Sequence, residues 1–122
     1  MSAHITRSIP ILPAININES IAWWTAICGF TVAFQYPGYA GLSRDGASFH
    51  LSEMSDPKLA RTVGEQTMIR FVVDDIEAMY ADYQQRGGKV HPNGALQTKP
   101  WGTTEFASID PCGVCVTFLR DS

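Results

Sequence analysis

The stretch IPILPAININESIAWW (residues 9–24) decides the fold of this chain, because MIRFVVDDIEAMYADY (residues 68–83) repeats its order of features. Each stretch opens with the β-branched and apolar residues of a strand and then passes through a capping signal into residues at helical spacing. The two align by simple counting, so that Ile17 matches Ile76 and Trp24 matches Tyr83. This pattern predicts an internal repeat of about 60 residues.

Short β-rich segments and turn residues follow the first strand and helix. The strand is predicted over residues 9–15 and the helix over residues 19–27, and Gly29 ends the helix. Three more strands are predicted over residues 31–36, 39–44 and 47–53, with turns at Pro37-Gly38 and Asp45-Gly46. The first half therefore reads βαβββ, and a polar loop is expected over residues 54–66.

The second half begins the same order again. A strand over residues 68–73 leads through Asp74 and Glu77, which stand at capping-box spacing, into a helix that Gly87-Gly88 ends. Two later strands are predicted over residues 104–109 and 114–119.

Two such modules need each other, because one module cannot bury its own sheet face. The prediction is an α+β fold in which two βαβββ modules form a curved mixed sheet, with helices outside and a concave cleft inside. Residues 1–122 are expected to form a single domain, with module one at about 8–53 and module two at about 67–119.

Composition and charge exclude several functions. The chain has 122 residues and a formal net charge of −3, and no run of Lys or Arg is longer than one residue, which argues against nucleic acid as a partner. The apolar run over residues 9–17 is broken by prolines and is too short to cross a membrane. The 3 cysteines do not make a disulfide framework, which favours a cytoplasmic protein.

Several short motifs occur along the chain in a fixed order: Trp23-Trp24, Gly29-Phe30, Pro100-Trp101-Gly102, Glu105-Phe106-Ala107 and Asp110-Pro-Cys-Gly113. This order resembles the vicinal-oxygen-chelate superfamily of glyoxalase I, fosfomycin resistance enzymes, extradiol dioxygenases and bleomycin resistance proteins. The resemblance is strongest to the bleomycin resistance proteins, on Ile9-Pro-Ile-Leu12, Ile21-Ala-Trp-Trp-Thr25, Ala40-Gly41, Arg44-Asp45 and residues 100–118. It covers nearly the whole chain and implies the glyoxalase/bleomycin resistance/dioxygenase fold.

The resemblance also indicates where a metal site would lie. In the family's metal enzymes, the first and last strands of each module point His or Glu at a shared divalent ion. By the repeat register these positions are Ile9, His50, Met68 and Thr117 in this sequence. Only His50 is a credible ligand, whereas a catalytic site needs about three. The sequence therefore predicts no metal and no other cofactor, and it favours a binding protein over an enzyme.

Bleomycin resistance proteins sequester the drug without a metal. The resemblance implies a homodimer with clefts at the subunit interface, often with an exchanged N-terminal strand, which Pro10 would hold extended. The first hypothesis is a protein that binds an aromatic, antibiotic-like small molecule such as bleomycin. An alternative is a glyoxalase-like enzyme, a metal-dependent lyase or dioxygenase, that acts on an unknown metabolite with His50 as acid or base. A third is a structural or regulatory dimer with an idle cleft.

Strand alternation indicates which side chains face the cleft. The expected set from the strands is Ser48, His50, Ser52, Met68, Arg70, Val72, Cys115, Thr117 and Leu119. Phe34, Tyr39 and Trp101 fall where the resemblance places aromatic residues for stacking on a flat conjugated ligand, although Phe34 is equally well read as core. The candidate ligand-binding residues are Phe34, Tyr39, His50, Ser52, Arg70, Trp101 and Thr117.

Arg70 is the most informative of these candidates. A guanidinium on the concave face needs either a carboxylate partner, for which Glu53 and Glu105 are the candidates, or an anionic group of the ligand. Because bleomycin is cationic, an unpaired Arg70 would argue against it. His50 is interpreted as a hydrogen-bonding group and not as a metal ligand.

Pro111-Cys112-Gly-Val-Cys115 is a competing motif that matches half of a zinc deaminase signature. The other half, His-x-Glu, is not matched, because His50 and Glu53 stand one residue too far apart. Deaminase and thioredoxin-like cysteines both belong at a helix start, whereas the residues that follow Cys115 are β-rich. Both cysteines are therefore interpreted as turn and strand residues.

Overall fold

Three helices and eight strands form in the computed structural model of the chain, which describes residues 1–121. In chain order they are β1 (Ile11–Ala14), α1 (Ile17–Ala26), β2 (Thr31–Tyr36), β3 (Tyr39–Arg44), β4 (Ala47–Glu53), α2 (Pro57–Glu65), β5 (Met68–Val72), α3 (Ile76–Gln85), β6 (Gln97–Thr98), β7 (Thr104–Ile109) and β8 (Cys115–Arg120). None of these helices is long and apolar enough to span a lipid bilayer.

The strands build two four-stranded sheets, one from each half of the chain, in the orders β1-β4-β3-β2 and β5-β8-β7-β6. In each sheet the first strand lies parallel to the last, and the other neighbours are antiparallel. The repeat extends to the register, since Ile11 pairs with His50 and Arg70 pairs with Thr117. The predicted α+β fold and its repeated order are confirmed. The two-residue strand β6 was not predicted, because Pro92 and Pro100 flank it and lack amide donors.

The helices begin at capping residues, and the starts of α1 and α3 lie one or two residues from the predicted positions. The side chain of Asn16 accepts a hydrogen bond from the Glu19 amide, so α1 starts at Ile17 and not at Glu19. At α3 the cap is Asp75, which accepts from the Ala78 amide; the predicted Asp74 lies one residue too early. In both cases the cap is the last residue with extended backbone angles, which local residue type alone does not reveal.

The expectation of a polar loop over residues 54–66 is wrong, because this segment contains α2. Asp56 caps the helix and Pro57 occupies its first position, which are favoured choices at both places. Its buried residues are Ala60 and Gly64. Leu59 and Val63 also stand four residues apart, at helical spacing, and the prediction of a loop overlooked this pattern.

The Cys-x-x-Cys pair lies between α2 and β8. Cys112 is buried in the turn before β8, and its thiol donates to the carbonyl oxygen of Ala60 at 3.2 Å. Burial raises the pKa of the Cys112 thiol, which is the opposite of the shift that activates a redox cysteine. Cys115 is the first residue of β8 and not the start of a helix, so the interpretation as turn and strand residues is confirmed.

A cluster of aromatic side chains from both modules forms the centre of the core. Trp24 of α1 is 0% exposed and lies against Phe30, Phe49 and Phe71, with ring centroids 4.4 to 6.1 Å away. Phe71 belongs to the second module, so this contact joins the two halves of the chain. Burying side chains of this size supplies much of the stability of a small domain.

Candidate functional site

One face of the first sheet carries a group of ring side chains that the strand register brings together. Phe34 of β2 lies opposite Gly41 of β3, and Gly41 lies opposite His50 of β4. Tyr36 and Tyr39 form the next pair along the same two strands. We refer to Phe34, Tyr36, Tyr39 and His50 as the aromatic cluster.

The aromatic cluster combines ring faces with a polar group. The Tyr39 hydroxyl and Nδ1 of His50 share a 2.8 Å hydrogen bond. The Phe34 ring stacks on Tyr39 at a centroid distance of 6.2 Å and meets the His50 ring edge-on at 5.0 Å. Tyr36 is exposed and Phe34, Tyr39 and His50 are half-buried. This arrangement offers stacking surface and one hydrogen-bonding ring to a flat molecule.

Gly41 shapes the aromatic cluster, and sequence reasoning did not give it a role. A Cβ atom on Gly41 would come within 2.2 Å of Cε2 of Phe34, so only glycine leaves room for the ring. The register between β2 and β3 also shifts between Val32 and Phe34, and such an irregularity re-aims a side chain. A glycine inside a strand was the signal that a ring approaches the backbone there.

The corresponding face of the second sheet carries an ion pair. Nη2 of Arg70 donates to Oε2 of Glu105 at 3.1 Å, and the Thr103 hydroxyl donates to the same oxygen at 2.8 Å. Burial raises the pKa of Glu105, but the hydrogen bonds from Thr103 and Arg70 and the Arg70 charge outweigh it, so the pKa lies below its usual range. Glu105 is therefore charged at neutral pH and balances Arg70. Of the two predicted partners, Glu105 and not Glu53 is the one that pairs.

The remaining candidate residues lie in three different surroundings. Ser52 of β4 pairs with Tyr39 and is half-buried beside the aromatic cluster. Thr117 pairs with Arg70 in the second sheet but is only 6% exposed, so little of it is open to a ligand. Trp101 is 66% exposed at the tip of the hairpin between β6 and β7.

The structure thus places the candidates in two sets and one isolated position. Phe34, Tyr39, His50 and Ser52 share the face of the first sheet, and Arg70 and Thr117 share that of the second. Within residues 1–121, no hydrogen bond or ring pair joins the two sets or connects Trp101 to either.

The same two faces expose large apolar side chains. Met68 is 76% exposed on β5, and other examples lie on strands of both sheets. They include Ile11, Tyr36, Val72 and Ile109. An exposed apolar area of this kind marks a surface that contacts another molecule.

The residues on these faces do not fit a divalent metal ion. The repeat places Ile9, Met68 and Thr117 with His50 at the family's metal positions, and the first two carry no nitrogen or oxygen donor in the side chain. Across residues 1–121 no three His, Cys, Asp or Glu side chains lie close enough together to hold an ion.

Comparison with known proteins identifies the family. The family model described as "Glyoxalase/Bleomycin resistance protein/Dioxygenase superfamily" matches residues 3–118. The chain belongs to this superfamily. The resemblance predicted from the sequence motifs is therefore confirmed for nearly the whole chain.

Several bleomycin resistance proteins are similar to this chain in sequence, and bleomycin-binding proteins are similar to it in structure. Those of Geobacillus stearothermophilus and Staphylococcus aureus are 29% identical to it over 127 residues, which cover 93% of this chain and 96% of theirs. A bleomycin-binding protein complexed with bleomycin superposes with a TM-score of 0.80 at 20% identity, covering 97% of this chain and 100% of that one. The bleomycin-binding protein of Streptomyces verticillus complexed with copper(II)-bleomycin has a TM-score of 0.80 at 22% identity and covers 99% of both chains. At these identities the structures establish the fold.

Proposed function

We propose that this protein is a metal-free binding protein of the bleomycin-resistance type, which sequesters an aromatic, antibiotic-like ligand such as bleomycin. The observation that carries the proposal is the aromatic cluster, which presents stacking rings on an open sheet face where the family's metal enzymes need His or Glu ligands. The similarity to the bleomycin resistance proteins of Geobacillus stearothermophilus and Staphylococcus aureus points to the same ligand.

The charges on the second sheet support a cationic ligand. Arg70 is paired with Glu105, so it does not present an uncompensated positive charge that would repel bleomycin. The net charge of −3 also favours a cation, although only weakly at physiological salt.

The proposal includes a homodimer. A cleft that uses the candidate residues of both sheets needs the first sheet of one protomer beside the second sheet of its partner. The exposed apolar residues on these two faces would be buried in that contact. Sedimentation equilibrium tests the dimer directly, and a monomer at micromolar concentration would contradict it.

The proposal also includes a cytoplasmic location, where the free thiols of Cys28, Cys112 and Cys115 would stay reduced.

Bleomycin is expected to quench the fluorescence of Trp101 in a saturable way, because this indole is exposed whereas Trp24 is fully buried. The Trp101→Ala variant should lose most of the quenching and bind bleomycin about tenfold more weakly, as expected from a lost aromatic contact of about 1–1.5 kcal/mol. Calorimetric titration measures the affinity independently of fluorescence.

Metal-free bleomycin and protein with no detectable metal serve as the starting materials of that titration. An unchanged affinity in Trp101→Ala would remove Trp101 from the site. Stoichiometric zinc, nickel, manganese or iron in freshly purified protein would instead support a metal enzyme and contradict the proposal as a whole.

The Gly41→Ala substitution is expected to weaken bleomycin binding at least tenfold, because the new methyl group displaces the Phe34 ring from the aromatic cluster. Gly46→Ala is the matched control, since a Cβ atom there meets nothing within 4 Å. Both variants are titrated by calorimetry after circular dichroism has shown that they fold. Equal affinities for the two variants would separate the aromatic cluster from ligand binding.

A further inference from the structure

A cavity lies at the seam between the two modules, and the proposed function assigns no role to it. Its volume is about 400 Å³, within the range of small-molecule sites. Module one contributes Phe30 and the hairpin turn from Arg44 to Ala47. Module two contributes residues 70–73, Met79 and Phe118. This seam cavity shares Arg70 and Val72 with the face of the second sheet described above.

The lining of the seam cavity combines an apolar floor with cationic groups. Phe30, Phe71, Val73 and Phe118 are buried or half-buried core residues whose side chains reach the cavity. A water-filled space against such side chains costs free energy, and an apolar molecule that fills it recovers that cost.

Two guanidinium groups stand at the cavity wall. Nη1 of Arg44 donates to the Cys28 carbonyl oxygen at 2.6 Å, and Nη2 of Arg70 donates to Glu105 at 3.1 Å. Each guanidinium has five N–H donors, so both retain donors for a further partner. The one carboxylate in the lining is that of Asp45, whose side chain is 90% exposed. Its Oδ2 atom lies 3.7 Å from Nε of Arg44.

We propose that the seam cavity binds a small apolar carboxylate, with the hydrocarbon part against the aromatic floor and the carboxylate against Arg44. The planar, permanently charged guanidinium matches a carboxylate in shape and charge. The apolar floor selects against small hydrophilic anions, which gain nothing from it. The seam cavity contains none of the residues of the aromatic cluster, so failure of this proposal would leave the proposed function untouched.

The methyl groups of two methionines report separately on the seam cavity and on the face of the second sheet in the native protein. Met79 lines the seam cavity, whereas Met68 lies exposed on the face of the second sheet. Protein labelled with [¹³C-methyl]methionine is titrated with 2-naphthoate, and in parallel with the uncharged 2-naphthamide. We expect the Met79 signal to shift saturably with naphthoate, with the amide binding at least tenfold more weakly because the charge-assisted hydrogen bonds are lost.

Charge variants test the role of the arginine. Arg44→Gln should weaken naphthoate binding about fivefold or more, while the control Arg61→Gln, in an exposed pair with Glu65 on α2, should leave it within about twofold. Gly46 offers a matched pair that is safe for folding, because its Cβ position is open and its φ is not left-handed. Gly46→Lys should tighten binding and Gly46→Glu should weaken it, each by about threefold.

Four results would overturn the seam site. They are a Met79 signal that does not move, equal affinity for naphthoate and naphthamide, equal effects of Arg44→Gln and Arg61→Gln, and no difference between Gly46→Lys and Gly46→Glu. If Arg44→Gln fails to fold, the Gly46 pair decides the question alone.

Discussion

Replacing Asp110 with alanine is expected to lower the free energy of unfolding by about 3–5 kcal/mol. Asp110 is only 3% exposed, and Oδ1 accepts hydrogen bonds from the amides of Cys112 and Val114 at 2.8 and 2.9 Å. Oδ2 accepts from the indole N–H of Trp24 at 3.3 Å. Alanine leaves all three buried donors without a partner, and each unsatisfied donor is costly. Urea denaturation followed by circular dichroism measures the loss.

Asp110→Asn is the control for this prediction. Its carbonyl oxygen still accepts from the two amides of the turn, but its amide group places a second donor against the Trp24 indole. The expected loss is therefore smaller, about 1–2 kcal/mol. If the two variants lost the same free energy of unfolding, the hydrogen bonds from the two backbone amides would contribute little to stability, which would contradict the prediction.

The stability contributed by Asp110 should also depend on pH. Burial raises the pKa of Asp110, although its hydrogen bonds from Val114, Cys112 and Trp24 act in the opposite direction. The folded state thus holds this proton more tightly than the unfolded chain. The stabilisation is full below the ordinary aspartate pKa of about 3.9 and is lost as the pH rises through the higher folded value. The advantage of the wild type over Asp110→Asn should shrink over that range, and a constant difference would contradict the raised pKa.

Trp24→Ala is expected to destabilise the protein by a similar amount, about 3–5 kcal/mol. The side chain is fully buried, touches rings of both modules, and holds Asp110 from the opposite side. Its loss opens a cavity at the place where the two halves meet. The adjacent Trp23 is the matched control, because it is only half-buried, and Trp23→Ala should cost less than half as much. Chemical denaturation of both variants makes the comparison, and equal losses would show that Trp24 has no special place in the core.

A double-mutant cycle separates the hydrogen bond from the packing. Trp24→Phe keeps an aromatic ring but removes the indole N–H that reaches Asp110. Combined with Asp110→Asn, it should cost less than the sum of the two single variants, because both remove the same contact. Strict additivity would mean that Asp110 and Trp24 do not act together.

The polar contacts across the chain indicate why the two modules hold together. Trp24 and Asp110 are 86 residues apart in sequence, and Nη1 of Arg86, on the second module, donates to the carbonyl oxygen of Ala26 at the end of α1. A cation at a helix C-terminus is favourable because it meets unpaired carbonyl oxygens and the negative end of the helix dipole. The contact between modules is therefore both apolar and polar.

The sequence predicted part of the candidate site for a clear reason. Side chains alternate along a strand, so the shared face of His50 and Ser52, and that of Arg70 and Thr117, followed from counting. The contacts of these residues could not be predicted from strand alternation. Glu53 and Glu105 were equal candidates for Arg70, and only the pairing of β7 with β8 and of β8 with β5 brings Glu105 within reach. Whether Phe34 was core or cluster likewise depended on Gly41 lying beneath its ring.

By itself the sequence determined the features that are written locally: the repeated strand and helix order, the turns at Pro37-Gly38 and Asp45-Gly46, and the capping signals that precede α1 and α3. Such features depend on residues within a few positions of each other. The helix over Pro57–Glu65 also has a local signal, in the Asp56 cap, Pro57 and the spacing of Leu59 and Val63, which the prediction of a loop overlooked. Only the tertiary structure decided the partners of Asp110 and Arg70 and the existence of the seam cavity. Those depend on which distant strands pair, and the free energy that selects one pairing is a property of the whole core.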